Sequence, residues 1–189
     1  MEMVKTSFKK LPFIFFILIL AACSGKTVVE SDLGIKGAPD WVNEGTNILN
    51  DKGGRLFHGV GSAPPMGDDS LQKSAADNRA RAELARILSS YMEVASKDYL
   101  ASASANGDMS VESAVSRSIE NATKLNLTGS RIIGRWKNKK NGVIFSIAEI
   151  DMKRVKETIA NTDSMHPGFQ SHFADNGDSL FDKTAKGGI

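Results

Sequence analysis

The feature that most constrains the fold is a long stretch of helical periodicity between about residue 70 and residue 104. Apolar and small side chains recur there in steps of three and four, the spacing of one face of an α-helix. Two adjacent stripes make this face: Leu71, Ala75, Asn78, Ala82, Ala85, Leu88, Met92, Ala95 and Tyr99, beside Ala76, Ala80, Leu84, Ile87, Tyr91 and Val94. The pattern predicts one long helix packed on a core. A membrane-surface helix is the alternative, but its polar face would carry more lysine.

Polar residues mark the start of this helix. Asp69 followed by Gln72 resembles a capping box, in which two side chains satisfy free amide groups of the first turn. The acidic pair Asp68 and Asp69 also suits the positive end of the helix dipole. We therefore expect the helix to begin near residue 70.

Strand signals lie on either side of the long helix. Residues 56–63 have the pattern of a strand that ends at Pro64 and Pro65. Residues 131–136 and 143–148 flank Asn141 and Gly142, a dipeptide typical of tight hairpin turns. These patterns predict one strand before the helix and a two-stranded hairpin after it.

Two shorter helices complete the predicted order. One follows Ser110 and the other follows Asp151, and their apolar faces comprise Val111, Val115, Ser118, Ala122 and Leu125, and Met152, Val155 and Ile159. This order predicts an α+β fold: a small antiparallel sheet of about three strands packed on one long and two shorter helices. Such a sheet has exposed edges, so homo-oligomerisation by edge pairing or helix packing is expected.

The end of the chain has a different composition. Residues 164–189 are rich in glycine, aspartate and lysine. This composition predicts a polar and mostly flexible tail, within which a short helix could dock around Leu180 and Phe181. We expect the folded domain to span residues 39–163, beginning where Pro39 stiffens the backbone and Trp41 supplies an apolar anchor.

Residues 1–22 have the pattern of a secretory signal peptide. Basic residues precede an apolar run at residues 11–20, and two alanines followed by Cys23 close it. The run is too short for a membrane span, which needs about 20 apolar residues. Cys23 is the chain's one cysteine, so it has no partner for an internal disulfide, and thioether lipidation accounts for it. An uncleaved anchor is the alternative.

The segment that follows, residues 23–38, contains few large apolar residues and predicts a lipidated tether. Ser24, rather than an aspartate, follows Cys23. By resemblance to lipoproteins of enteric-type bacteria, this residue favours the outer membrane over the inner one. The expected localisation is therefore the outer membrane, on either its periplasmic or its surface face.

The charge balance argues against a nucleic-acid partner. The chain carries 24 basic and 22 acidic residues, and removing a leader with three lysines and one glutamate leaves the two signs balanced. A nucleic-acid-binding domain would be strongly basic. The expected partners are the membrane, through the lipid on Cys23, and either further copies of the chain or envelope proteins.

Three short motifs resemble the LPP-twenty family of bacterial lipoproteins. They are Pro39-Asp40-Trp41-Val42, Gly59-Val60-Gly61-Ser62-Ala63 and Ala76-x-x-Arg79-Ala80-Arg81-Ala82-Glu83-Leu84-Ala85. The resemblance covers roughly residues 39–159, behind the same kind of lipidation site. It implies an outer-membrane lipoprotein with a helix-on-sheet domain and no catalytic residues to transfer. Relatives include lipoproteins of the flagellar base and of other envelope assemblies, often as rings or multimers.

No pattern in the sequence predicts catalysis, a cofactor or a metal site. Gly59 and Gly61 suggest a phosphate loop, but the third glycine and the following lysine are missing, so close helix packing is the better interpretation. His58 is expected to be a strand residue with a satisfied hydrogen bond. His166 and His172, near acidic residues of the tail, match no standard metal spacing. We therefore expect a non-catalytic structural or interaction role in the cell envelope.

The predicted hairpin leaves a second function open. Five basic residues fall on it: Arg131, Arg135, Lys137, Lys139 and Lys140. All but Lys140 are expected on one strand face, which Ile133 shares as an exception, opposite Ile132 and Trp136. Such a run is usually solvated or protects a sheet edge from aggregation. It also predicts, as the alternative function, binding of an anionic envelope polymer or an acidic partner protein.

Overall fold

A computed structural model describes residues 33–51, 54–102, 113, 115–117, 119–120 and 129–187 of the chain. The predicted signal peptide and Cys23 lie outside the described residues. The elements follow in the order α1 (Asp40–Glu44), β1 (Asn47–Asp51), β2 (Gly54–Ala63), α2 (Asp69–Ser102), β3 (Arg131–Lys137), β4 (Ile144–Asp151), α3 (Met152–Ala160) and α4 (Pro167–Gly187). The described residues between 113 and 120 are helical, in agreement with the second predicted helix.

The strands form one antiparallel sheet in the order β1-β2-β4-β3. β2 and β4 are central neighbours, with Phe57 opposite Ile150 and Ala63 opposite Ile144. The predicted α+β fold, an antiparallel sheet packed on one long helix, is confirmed. β1 adds an edge strand beside β2 that the sequence pattern did not indicate, since its run Asn-Ile-Leu-Asn-Asp lacks alternation.

The long helix α2 packs directly on β2 where β2 has glycine. A Cβ atom on Gly59 would lie 2.8 Å from Leu84 Cα and closer still to the backbone oxygen of Ala80. A Cβ atom on Gly61 would collide with the backbone of Arg79 and Ala80. Because side chains cannot approach a backbone so closely, only glycine permits this contact. The predicted role of the two glycines in close helix packing is confirmed.

Only part of the predicted apolar face of α2 is buried. In the first half, Ala76, Ala80 and Leu84 are fully buried, whereas Leu71 is 53% exposed. Both predicted stripes contribute to the buried face in the second half, through Ile87, Leu88, Tyr91, Met92, Ala95 and Tyr99. The predicted wide face is therefore wrong for the first half, because the sheet covers that half from one side while α4 also packs on the second half. In the second half it is wrong for Val94, which is 42% exposed.

The predicted capping box at the start of α2 is also corrected. The Asp68 carboxylate, and not that of Asp69, accepts hydrogen bonds from the backbone N–H of Ser70 (2.7 Å) and of Leu71 (2.9 Å). The hydrogen bonds from Leu71 and Ser70 hold the pKa of Asp68 below its ordinary value. Gln72 is buried and points away from the cap, donating to the carbonyls of Ala63 and Gly142. Gln72 therefore connects β2 and the β3–β4 turn to the helix.

The chain before β1 covers the sheet face opposite α2. Val42 of α1 is fully buried, and the Trp41 ring lies beside Gly134 of β3. The backbone N–H of Ile35 donates to Asn43 Oδ1 over 2.9 Å, and Asn43 Nδ2 donates back to the Ile35 carbonyl. The last residues of the predicted tether therefore belong to the folded domain, which is a correction of the boundary at residue 39.

The prediction of a mostly flexible tail over residues 164–189 is wrong for the described residues, although the docked helix considered around Leu180 and Phe181 is present and is longer than expected. α4 carries an apolar stripe into the core, formed by Phe169, Phe173, Leu180 and Phe181. The Tyr91 hydroxyl of α2 donates to the Gly177 carbonyl over 2.6 Å, so the two helices are also joined by a buried hydrogen bond. These apolar residues have helical spacing, but the polar residues between them outnumber them, so the composition of the segment predicted a flexible tail.

Candidate functional site

A pocket of about 590 Å³ lies between residues 34–37, at the start of the described chain, and residues 136–140, at the end of β3 and in the turn after it. Four of its lining residues are lysines: Lys36, Lys137, Lys139 and Lys140. None of the described residues that line it is acidic. Its volume is in the range of small-ligand sites. We call it the lysine pocket.

The turn that carries Lys139 and Lys140 is held by Asn138. This residue is buried, and its Oδ1 accepts from the backbone N–H of Lys140 over 2.9 Å. Its backbone N–H donates to the Val143 carbonyl, and its carbonyl accepts from Gly142, both over 2.8 Å. Gly142 has a φ of 72°, a conformation that favours glycine. These bonds give the lysine-bearing turn a defined conformation.

The opposite wall of the pocket carries Lys36. The hydrogen bonds between Ile35 and Asn43 fix the backbone on one side of Lys36, and the Ala38 N–H donates to the Ile35 carbonyl over 3.1 Å on the other. Sequence reasoning missed Lys36 as a site residue because it lies in the predicted tether, far from the hairpin along the chain. Only the packing of the first described residues against the hairpin brings it there.

The lysine pocket carries unbalanced positive charge. Lys137 Nζ lies 3.1 Å from Asp69 Oδ1, so this lysine is shared with a carboxylate of α2. Within the described parts of the chain, Lys36, Lys139 and Lys140 form no ion pair. Like charges around one cavity repel each other, although solvent weakens the repulsion because these side chains are exposed. An anion in the pocket would reduce it.

Arg131 and Arg135, the other two residues of the predicted basic hairpin, are engaged elsewhere. Arg131 pairs with Glu149 over 3.0 Å, and Arg135 pairs with Asp77 of α2. A β-bulge between Ile132 and Gly134 shifts the alternation of β3. Arg131 and Arg135 therefore lie on opposite faces of the sheet, and the predicted single basic face is wrong.

The partly buried Asp77 carboxylate is a junction between α2, β3 and β4. Arg135 Nε donates to its Oδ1 over 2.8 Å, and the fully buried Ser146 hydroxyl donates to the same oxygen over 2.8 Å. Burial by itself would raise the pKa of Asp77, but the hydrogen bonds from Arg135 and Ser146, with the charges of Arg135 and Arg81, hold it below its ordinary value. The ion pair between Asp77 and Arg135 stabilises the fold, and neither charge is available to a ligand.

His58 has a partner at each ring nitrogen. Its Nδ1 lies 3.3 Å from Asn47 Oδ1, and its Nε2 lies 3.0 Å from Glu149 Oε2. Glu149 accepts from Arg131 through its other oxygen. The prediction that His58 is a strand residue with satisfied hydrogen bonds is confirmed.

The two other histidines join α4 and the segment before it to α2. His166 Nδ1 lies 3.3 Å from the Tyr99 hydroxyl, and His172 Nε2 lies 2.8 Å from Asp98 Oδ2. In the described part of the chain, no group of three or more histidine, cysteine, aspartate or glutamate side chains is placed to hold a metal ion. These histidines therefore contribute to helix docking.

A second pocket, of about 480 Å³, lies between β2, α3 and α4. It is bordered by a network of paired charges. Arg55 donates to both carboxylate oxygens of Asp182, over 2.8 and 2.9 Å, and lies 3.6 Å from Asp178. Lys156 lies 3.4 Å from the same Asp178. These ion pairs help to dock α4 on β2 and α3. Because the charges neutralise one another, the second pocket offers little net charge to attract a charged ligand.

None of the helices in the described part of the chain is long and apolar enough to cross a membrane. The lipidation predicted at Cys23 lies outside the described residues and stays a prediction. No protein-family model matches the chain, and no curated protein matches it.

Proposed function

We propose that the protein is a non-catalytic lipoprotein of the bacterial outer membrane, anchored by a lipid on Cys23, with a structural or interaction role in a cell-envelope assembly. The leader, the lone cysteine and Ser24 support the anchor and the choice of membrane. The resemblance of residues 39–159 to the LPP-twenty lipoproteins supports the role, and flagellum-associated assemblies are among those it suggests.

The observation that carries the proposal is the position at which the folded domain begins. The hydrogen bonds between Ile35 and Asn43 place folded structure shortly after the predicted lipidation site. Even fully extended, the chain between Cys23 and Ile35 reaches only about 40 Å. A lipid on Cys23 would therefore keep the domain near the membrane surface, within reach of other envelope components.

The edge of the sheet at β3 supports an interaction role. In the described part of the chain, β3 pairs with β4 along one side. A sheet edge presents backbone N–H and C=O groups to which another strand can be added. Ile133, in the bulge of β3, is 47% exposed and offers an apolar contact. The proposed partner at this edge is a second copy of the chain or an envelope protein.

The anchor is tested by metabolic labelling with a fatty-acid analogue. We expect the wild-type protein to be labelled and recovered with membranes, and Cys23→Ser to be unlabelled and released from them. The matched control is Cys23→Ser combined with Ser31→Cys, which keeps one thiol but moves it away from the cleavage site. Label on this control, or none on the wild type, would overturn the lipid anchor.

The choice of membrane is tested by separating inner and outer membranes by density. We expect the wild-type protein in the outer-membrane fraction and Ser24→Asp in the inner one, since an aspartate there favours retention. Recovery of the wild-type protein with the inner membrane would contradict the proposed localisation.

The edge contact is tested by cysteine crosslinking in intact cells, where the lipid occupies Cys23. Ile133→Cys adds one exposed thiol at the β3 edge, and Val94→Cys adds one of similar exposure on α2 (42% for Val94). If copies pair through β3, a disulfide-linked dimer forms with Ile133→Cys and not with Val94→Cys. Equal crosslinking of the two variants, or none, would argue against self-pairing at this edge.

Anion binding at the hairpin is a second candidate function, and the lysine pocket favours it. Of the five basic residues predicted to bind an anion, Arg131 and Arg135 are paired with carboxylates within the domain and are no longer candidates. Lys137, Lys139 and Lys140 remain at the pocket and are joined there by Lys36. Retention on an anionic column should therefore fall on replacing these lysines with glutamine. Unchanged retention would remove this candidate.

A further inference from the structure

The lysine pocket brings together side chains that are far apart in the sequence and have the same charge. Lys36 comes from the segment before α1, and Lys139 and Lys140 come from the turn between β3 and β4. We infer that this pocket binds the phosphate group of an anionic lipid headgroup in the membrane that carries the protein. The inference rests on the proposed lipid anchor at Cys23.

The charge of the pocket selects the chemistry of its ligand. Among the described residues, Lys36, Lys139 and Lys140 have no carboxylate partner, and Lys137 shares one with α2. Lysine ammonium groups bind phosphate as compact point charges with several donors each. Several ammonium groups around one cavity match an oxyanion that presents several acceptor oxygens.

The pocket also has a wall suited to the organic part of a headgroup. Trp136 lines it and is half-buried, with its ring centroid 5.8 Å from that of Phe145 on the neighbouring strand. Indole rings combine an apolar body with one N–H donor, which suits a ligand that is polar at one end and apolar at the other. The volume of about 590 Å³ accommodates a headgroup larger than a bare phosphate ion.

The position of the pocket in the chain points to a lipid as the source of the phosphate. Lys36 follows Cys23 closely in the sequence, and the chain from Cys23 to Lys36 extends at most about 45 Å. With Cys23 lipidated, the pocket stays within that distance of the bilayer surface, where headgroup phosphates are concentrated. A soluble phosphate compound would have no such advantage.

Binding can be followed through Trp136, because Trp41 and Trp136 are the two tryptophans of the chain. The mature lipoprotein with Trp41→Phe, purified in detergent, has Trp136 as its single indole. We expect its fluorescence to change when micelles containing phosphatidylglycerol are added. Micelles with phosphatidylcholine, whose headgroup has no net charge, and inorganic phosphate without lipid are the two comparison arms.

The lysines are tested by a triple replacement, Lys36→Gln, Lys139→Gln and Lys140→Gln. Its matched control removes the same charge elsewhere, through Lys73→Gln, Lys153→Gln and Lys183→Gln, all exposed lysines. Because each charge-assisted contact contributes about a tenfold change in affinity, we expect the pocket variant to bind phosphatidylglycerol at least about tenfold more weakly. The control should bind like the parent, and a circular dichroism spectrum confirms that each variant is folded.

The results of these two experiments either support or overturn binding of a lipid phosphate at the lysine pocket. Equal binding by the pocket variant and its control, or no fluorescence change with phosphatidylglycerol, would overturn it. Equal affinity for free phosphate and for the lipid would overturn the lipid as the source. Failure of the anchor is seen separately, because the pocket variant should stay with cell membranes through Cys23, whereas Cys23→Ser should leave them.

Discussion

Asp77 of α2 and Arg135 of β3 form a two-point contact that joins the long helix to the edge strand. Arg135 Nε and Nη2 donate to the two carboxylate oxygens of Asp77, whose side chain is only 13% exposed. The contact removes Arg135 from the charges available to a ligand. It thereby separates the basic residues that stabilise the fold from those of the lysine pocket.

Replacing Asp77 with alanine should destabilise the domain by about 1–3 kcal/mol, because the buried Ser146 hydroxyl and Arg135 lose their shared acceptor. The measurement is urea-induced unfolding. Glu93→Ala is the control, since Glu93 lies on the same helix in an exposed pair with Lys97 and should change stability by about 0.5 kcal/mol or less. Equal losses in both variants would contradict the importance of the Asp77 contact.

The same contact should depend on pH. The folded protein lowers the pKa of Asp77, so the carboxylate contributes stability above the ordinary aspartate pKa of about 4. That contribution is lost as the pH falls through the lower, folded pKa. The difference in unfolding free energy between wild type and Asp77→Ala should therefore shrink below about pH 4. A difference that stays constant on acidification would show that the charge of Asp77 does not contribute.

Gly59→Ala should destabilise the domain by about 3 kcal/mol, because the new methyl group meets the backbone of Ala80 and Leu84 and forces α2 away from β2. Gly134→Ala is the matched control on the same sheet. There the Cβ would meet the side chain of Ile147 at 3.3 Å, and we expect a loss of about 1 kcal/mol. Thermal unfolding measures both, and a similar loss at the two positions would contradict the close helix contact.

Phe181→Ala should cost about 3–5 kcal/mol, because this fully buried ring of α4 packs edge-on against Phe57 at a centroid distance of 5.0 Å. Lys183→Ala, at an exposed position two residues further along α4, should change stability by about 0.5 kcal/mol or less. Urea unfolding measures the loss. If Phe181→Ala were as stable as the wild type, residues 167–187 would not be part of the cooperative fold.

Local sequence patterns were sufficient for the elements that depend on local chemistry. The steps of four and three between Ala80, Leu84 and Ile87 indicated α2, and Asp151 was correctly expected to cap α3, where it accepts from the Arg154 N–H. Gly59 and Gly61 were correctly assigned to close helix packing. The helix spacing and the cap depend on neighbours along the chain, and glycine within a strand most often marks a close approach by another backbone.

Features that depend on distant partners were not predictable in the same way. α4 has a helical stripe, but its composition is polar, and only the space beside Tyr91 and Phe57 makes burial of that stripe favourable. The bulge at Ile133 reversed the side of the sheet on which Arg131 lies. A basic run cannot show which of its charges will meet a carboxylate from another element.

The sequence by itself determined the class of the fold, the position of the long helix and the prediction of a lipid on Cys23. Periodicity and the leader pattern carry these conclusions, because each is encoded within a few neighbouring residues. The tertiary structure alone decided which charges remain available. Asp77 and Glu149 neutralise Arg135 and Arg131, while Lys36 joins the hairpin lysines across the fold. Electrostatic pairing acts over distances in space, and the order of residues along the chain does not specify those distances.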